Sequence, residues 1–150
     1  MYGPIEITVD CLYHVLNQDD YESGVLPIGR PLKNTDILIL NDNNELCSKG
    51  EMGELCVRGT SLAMGYYNDH DKTDKAFVQN PLNKAYPEII YRTGDVVVKR
   101  DDGEILFVGR RDYQVKHLGY RIELGEIETI ALQMPEINNA CVAYNDEKNK

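Results

Sequence analysis

No apolar run in this chain of 150 residues approaches the roughly 20 that a membrane-spanning helix needs. No basic head followed by an apolar segment marks a secretory leader either, so a helical membrane span is excluded and a cytoplasmic location is expected. Cysteine is sparse and scattered: Cys11, Cys47, Cys56 and Cys141 form no C-x-x-C pair. That spacing excludes a zinc ribbon or a disulfide framework and predicts buried or idle thiols. His14, His70 and His117 share no metal-ligand spacing and read as structural or surface residues. Positive charge is scarce too, with 16 Lys and Arg against 25 Asp and Glu and a net charge of -9, which argues against nonspecific nucleic-acid binding. The exception is residues 91–121, with 7 basic and 5 acidic side chains, between residues 1–90 with 7 and 14 and residues 122–150 with 2 and 6.

What remains is an ordinary globular composition, 42% hydrophobic and 27% charged, in a length that holds one core or one small domain plus part of another. Residues 9–24 mix apolar and acidic positions without a period and read as a strand fragment and loop. A turn-rich LPIGRP follows at 26–31. Residues 36–40 (DILIL), 53–58 (GELCVR) and 89–95 (IIYRTGD) read as strands, with a turn at 41–44. Gly59 and Gly65 suit turns, and Tyr66 and Tyr67 read as core or rim aromatics. A charged turn at 68–76 leads into a short helix, and an irregular loop passes Pro81 and Pro87. Asp102-Gly103 between alternating runs signals a hairpin. Gly125 opens a helix with Leu124, Ile127, Ala131 and Met134 on one face, Pro135 stops it, and 138–144 (NNACVAY) reads as a strand. The pattern predicts a mainly β fold with α+β character, a curved sheet or distorted small β-barrel.

Special residues concentrate in residues 104–128, EILFVGRRDYQVKHLGYRIELGEIE. Apolar alternation through Ile105, Phe107 and Val115 reads as strand, and Gly109 and Gly119 interrupt it where the backbone must turn or approach something closely. By itself this is a basic β-hairpin with a solvated face. The Thr93-Gly94-Asp95 corner sets a carboxylate at a strand's rim, where it can accept hydrogen bonds from two neighbouring hydroxyls, as the acidic residue of a dinucleotide fold does with ribose. A capped turn is the plainer reading of that corner.

Residues 109–128 match every fixed letter of G-R-x-D-x-Q-V-K-x-x-G-x-R-I-E-L-G-E-I-E, the hinge motif of the adenylate-forming enzymes. MYGPIE at 1–6 resembles that superfamily's Y-G-P-T-E, and GELCVRGTSLAMGY at 53–66 and YRTGD at 91–95 follow in the family's order. The resemblance therefore covers nearly the whole chain. It implies an ATP-dependent enzyme that joins a carboxylate to AMP and passes the acyl group to a thiol, phosphopantetheine on a carrier protein or on CoA. RIELGEIE and LPIGRP resemble the amino-acid adenylation domains of nonribosomal peptide synthetases more than acyl-CoA synthetases, so an amino acid is the expected substrate and a carrier protein the expected partner.

Roles follow residue by residue from that resemblance. Tyr2, Gly3 and Glu6 belong to the nucleotide site, with Glu6 holding the Mg2+ that accompanies ATP, an ion that takes oxygen ligands and is shared with phosphate. Asp95 would take the ribose hydroxyls, and Arg110 the ribose or phosphate with its fixed guanidinium fork. Asp112 would be the hinge about which the small domain swings between half-reactions. Lys116 would face the adenylate in the thioester-forming orientation, and Gly119 would line the pantetheine path. The one positive stretch is thus the one that would face a nucleotide. Ile5 stands where the family has a phosphate-binding threonine, and isoleucine has no donor; phosphate contact is weakened, or Thr8 or another loop supplies it.

The family's Gly/Ser/Thr-rich phosphate loop, its C-terminal lysine and its carboxylate pocket are not found in these residues. The chain is expected to be an internal segment: 1–23 the end of the large-core nucleotide-binding region, 24–111 a β-barrel-like subdomain, and 112–150 the beginning of the small C-terminal domain. Alone it should be inactive. A D-alanine:carrier-protein ligase, an acyl-CoA synthetase, or a noncatalytic adenylation-like binding domain are the alternatives.

Overall fold

A computed structural model describes residues 1–111, 114–117 and 120–144, and only the backbone of Asp19, Tyr21, Ser23, Gln114, Lys116 and Arg121. The chain divides into two compact units, Met1–Arg111 and Asp112–Lys150.

The first unit is built on an antiparallel sheet of β3 (Thr35–Leu40), β4 (Met52–Gly59), β5 (Phe77–Gln79), β6 (Ile89–Lys99) and β7 (Ile105–Arg110). β6 is its axis. One edge of β6 pairs β4, which in turn pairs β3; the other edge pairs β5 against Ile89, Ile90 and Tyr91 and β7 from Asp95 to Lys99. Burial alternates along β6, as a strand with two unlike faces requires, whereas β4 is buried on both faces from Gly53 to Val57. Leu55, Val57, Tyr91 and Val97 form one face, joined by Ile39, Ile105 and three residues of the N-terminal segment, Ile7, Cys11 and Leu12. Leu40, Cys56 and Ile90 pack on the other. Each such large side chain contributes about 1.5–3 kcal/mol by leaving water.

Short segments close the N-terminal side. Tyr2 N–H donates to the Leu12 carbonyl at 2.9 Å, and β1 (Leu12–Tyr13) pairs β2 (Arg30–Pro31). Ile28 N–H then donates to the Ile105 carbonyl at 2.8 Å, which ties this segment to the main sheet. The Asp-Gly hairpin forms as expected, Arg100 N–H donating to the Glu104 carbonyl at 2.8 Å. The charged turn leads into α2 (His70–Ala76), whose Asp69 cap accepts from Lys72 N–H at 2.9 Å.

Some expectations need correction. Residues 9–24 contain a helix, α1 (Gln18–Ser23), as well as a strand fragment. Its signal was present in Asn17-x-x-Asp20: the Asn17 side chain accepts from Asp20 N–H at 3.2 Å and the Asp20 side chain from Asn17 N–H at 2.8 Å, a reciprocal capping box. Gly109 makes no turn; it sits in β7 opposite Val96. In the second unit β8 (Gln114–His117) pairs β9 (Tyr120–Glu123), followed by α3 (Leu124–Ala131). Val115 therefore lies on a strand of its own, separate from Ile105 and Phe107. α3 ends before Met134 and Pro135, and Met134 is exposed. Residues 138–144 form no strand: Val142 N–H instead donates to the Glu128 carboxylate at 2.8 Å. Among the described residues no helix is long and apolar enough to cross a membrane.

Candidate functional site

The Asp95 corner is a deformation of β6. Its register against β4 jumps between Glu54 and Cys56, which face Val96 and Arg92, so Thr93, Gly94 and Asp95 bulge out of the ladder. Gly94 adopts φ +73°, a left-handed conformation that glycine takes without a Cβ penalty. The Thr93 hydroxyl donates to the Leu55 carbonyl at 2.7 Å and accepts from Asp95 N–H at 3.0 Å. Asp95 is thereby held with only 7% of its surface exposed.

Both of its carboxylate oxygens are engaged. Arg110 lies opposite Asp95 in the β6–β7 ladder and donates from Nη1 to Oδ1 at 2.6 Å; the Tyr2 hydroxyl donates to Oδ2. Burial, then the Asp95 charge, pushes the Tyr2 phenol far above its ordinary range, so it stays a donor. Gly3 lies where the backbone passes closest: a Cβ on it would sit 2.2 Å from the Val9 carbonyl oxygen, which no L side chain tolerates. Tyr2, Asp95 and Arg110, distant in sequence, thus converge on one point.

Glu6 belongs to a second cluster. It lies in the 3-10 turn Ile5–Ile7, is 4% exposed, and accepts from the Tyr66 hydroxyl at 2.7 Å. Burial and then the hydrogen bond to Glu6 push the Tyr66 phenol upward as well. Ile5 beside it is 79% exposed. The Thr8 hydroxyl donates to the Ser61 carbonyl at 2.9 Å. Among the described residues no group of three or more His, Cys, Asp or Glu could hold a metal ion. A lone carboxylate fits an ion that takes its other ligands from phosphate and water, as Mg2+ does.

A third group joins motif residues to which the resemblance attached no role. Glu54, 6% exposed, accepts from Gly94 N–H at 3.2 Å on Oε1, and from Arg92 Nη1 at 2.6 Å and Arg111 Nη1 at 3.1 Å on Oε2. Arg111 also pairs with Asp42, at the mouth of a cavity of about 520 Å3 lined by Asn41, Asp42, Met52, Glu54, Val96 and Arg111. The signal available was an acidic residue in GELCVR and arginines in YRTGD and GRRD, but only the fold pairs them. In the second unit Lys116 lies opposite Arg121 in the β8–β9 hairpin. Its side chain, and Asp112 and Gly119 altogether, lie outside the described residues.

The family described as AMP-binding enzyme matches residues 1–67. Bacitracin synthase 1 of Bacillus licheniformis is 40% identical over 99% of the chain, which spans 3% of that protein's length. Holo-PA1221, described as an NRPS protein containing adenylation and PCP domains, superposes with TM-score 0.85 at 34% identity, over 97% of this chain and 25% of its own. The Vibrio cholerae adenylation domain AlmE, solved in complex with glycyl-adenosine-5'-phosphate, gives TM-score 0.76 at 34% identity, over 97% of this chain and 28% of its own. Its motifs and these likenesses agree: residues 1–67 match the AMP-binding enzyme family, and the chain is similar to a segment of the adenylation domains of nonribosomal peptide synthetases.

Proposed function

We propose that this chain is the nucleotide-facing segment of a cytoplasmic, ATP-dependent ligase that activates an amino acid as aminoacyl-AMP and transfers it to the thiol of a carrier-protein phosphopantetheine. The observation that carries this reading is the convergence of Tyr2, Asp95 and Arg110 from three separated motifs onto one buried carboxylate. In the reaction a substrate carboxylate oxygen bonds to the α-phosphorus as the bond to pyrophosphate breaks, and the thiol then displaces AMP from the acyl carbon. Asp95 takes the ribose hydroxyls, Arg110 and Tyr2 fix that carboxylate, and Gly3 lets the Val9 backbone approach closely beside Tyr2. Glu6 contributes one oxygen to Mg2+, which supplies charge neutralisation at the phosphates.

Residues 1–23 then close the large core's nucleotide region, 24–111 form its β subdomain, and 112–150 begin the small domain. The break between Arg111 and Asp112 supports Asp112 as the hinge, with Lys116 and Gly119 serving the thioester-forming orientation. The glycyl-adenylate held by the 34% identical AlmE supports an amino-acid substrate. Acyl-CoA synthetase and D-alanine:carrier-protein ligase remain the neighbouring readings within the enzyme class.

The test is ATP–pyrophosphate exchange by the full parent protein across amino acids and fatty acids. Exchange with one amino acid is expected; exchange with fatty acids alone moves the protein to the acyl-activating branch. One observation favours a noncatalytic binding domain: Ile5, 79% exposed, presents a methyl surface where the family presents a hydroxyl. If neither the parent nor its Ile5→Thr variant exchanges with any substrate, that second reading replaces the first.

A further inference from the structure

Bulging frees Thr93, Gly94 and Asp95 from the β4 ladder, so on that edge something other than strand pairing must fix the corner, while on the other edge Asp95 pairs Arg110 of β7. Gly94 N–H finds no β4 carbonyl and donates to Glu54 Oε1 at 3.2 Å, while the Gly94 carbonyl accepts from Arg111 N–H at 2.7 Å. Glu54 Oε2 holds Arg92, just before the corner, at 2.6 Å, and Arg111, the last residue of the first unit, at 3.1 Å. With 6% of its surface exposed, Glu54 has little water to fall back on, so both guanidiniums and the amide are its compensation for burial. One carboxylate therefore grips the corner from within and from either side.

We propose that Glu54 is a positioning residue for nucleotide recognition: through Gly94, Arg92 and Arg111 it sets the Asp95 carboxylate where ribose hydroxyls reach it. This rests on the adenylating function proposed above. Glu54 touches no substrate; it substitutes for the ladder bond that the bulge removes, and its charge recruits the two arginines that brace the corner. The isosteric Glu54→Gln keeps an acceptor for Gly94 N–H but gives up the charge, so the arginines loosen and Asp95 drifts. A displaced Asp95 reads the ribose poorly. ATP then loses the advantage it holds over a nucleotide lacking one ribose hydroxyl.

The experiment compares KM for ATP and for 2'-deoxy-ATP in pyrophosphate exchange by the full parent protein, wild type, Glu54→Gln and Arg111→Met. Wild type should prefer ATP. In Glu54→Gln the ATP KM should rise about tenfold, the worth of one hydrogen bond to a charged group. The 2'-deoxy-ATP KM should move much less, and kcat should stay within about twofold, the split expected when uniform binding is lost. Arg111, with 44% of its side chain exposed, tolerates replacement, and Arg111→Met should narrow the same KM ratio by about threefold. A merely structural role would depress exchange with both nucleotides alike and leave the ratio unchanged; that result overturns the positioning role while the enzyme reading stands. If Glu54→Gln does not fold, an unchanged ratio in Arg111→Met overturns it equally. A wild type that exchanges without preferring ATP removes the ribose role of Asp95 and this inference with it, and a wild type with no exchange overturns inference and function together.

Discussion

Asp95 is the residue on which this cluster turns, because its carboxylate holds both Tyr2 and Arg110 while nearly cut off from solvent. A buried carboxylate with a missing partner destabilises its surroundings, so each donor to it is worth more than a surface contact. Tyr2 supplies one of those donors through a phenol that burial and the Asp95 charge keep protonated. Tyr2→Phe removes the hydroxyl and preserves the ring, leaving Asp95 Oδ2 without that donor. The expected loss is about 1–2 kcal/mol of folding stability, read as a lower urea midpoint of the chain with an unchanged slope. A variant as stable as the parent sequence would mean that water replaces the phenol and the site is open to solvent. Tyr2, Asp95 and Arg110 each stand in a motif to which the resemblance attaches a role; Glu54 also stands in a motif, GELCVRGTSLAMGY, but its contacts come from a bulge that no linear pattern displays.

At the scale of elements, β1, α1 and the hairpin before β7 are joined by a polar cluster that is separate from the Asp95 corner. His14 places Nε2 2.8 Å from Asp20 Oδ2 and Nδ1 3.1 Å from Glu104 Oε2, with side chains 9%, 8% and 14% exposed. A neutral imidazole donates from one nitrogen only, so two facing carboxylates favour the imidazolium. Arg30 Nε shares Glu104 at 2.6 Å, and Arg100 adds positive charge near Asp20. The hydrogen bond to Asp20 raises the His14 pKa, burial opposes it, and Glu104 raises it further; the bond from His14 and that from Asn17 N–H lower Asp20. For His14, raised above its ordinary value of 6.5, the stabilisation is complete below about pH 6.5 and is lost as pH rises through the folded value. For Asp20, lowered from 3.8, it is present above about pH 4 and is lost as pH falls through the folded value. This cluster is thus strongest between about pH 4 and 6.5. The thermal midpoint of the chain should fall from about pH 6 to about pH 9, and His14→Gln should flatten that dependence. An equally steep profile in the variant would assign the dependence to other groups. His14 read as structural from sequence, which was right, but α1 was missed because its capping box precedes a helix too short to show a period.

For the whole molecule, the main sheet was legible because its strands alternate and end in strong turns, and the Asp-Gly hairpin set the β6–β7 pairing directly. Less was legible where tertiary context overrides local pattern. NNACVAY has the composition of a strand, yet the amide of Val142 is taken by the Glu128 side chain and the segment joins no ladder. The same dependence on context bears on activity. The molecule gathers Tyr2 and Arg110 on the buried Asp95 carboxylate, the group proposed above to take the ribose hydroxyls, and sets a second buried carboxylate at Glu6. In-line attack at a phosphate also needs charge stabilisation on the transferring group and a pocket that orients the carboxylate, and no phosphate-cradling loop occurs in these 150 residues. Orientation and charge stabilisation each account for several orders of magnitude, so losing both leaves no measurable turnover even with the ribose contacts intact. The chain by itself should therefore catalyse no amino-acid-dependent pyrophosphate exchange, while the parent protein should. The comparison is made with both at equal concentration in excess Mg2+ and ATP. Substrate-dependent exchange by the chain alone would show that the groups gathered around Asp95 and Glu6 suffice for the chemistry, and would place the reacting phosphate within this segment.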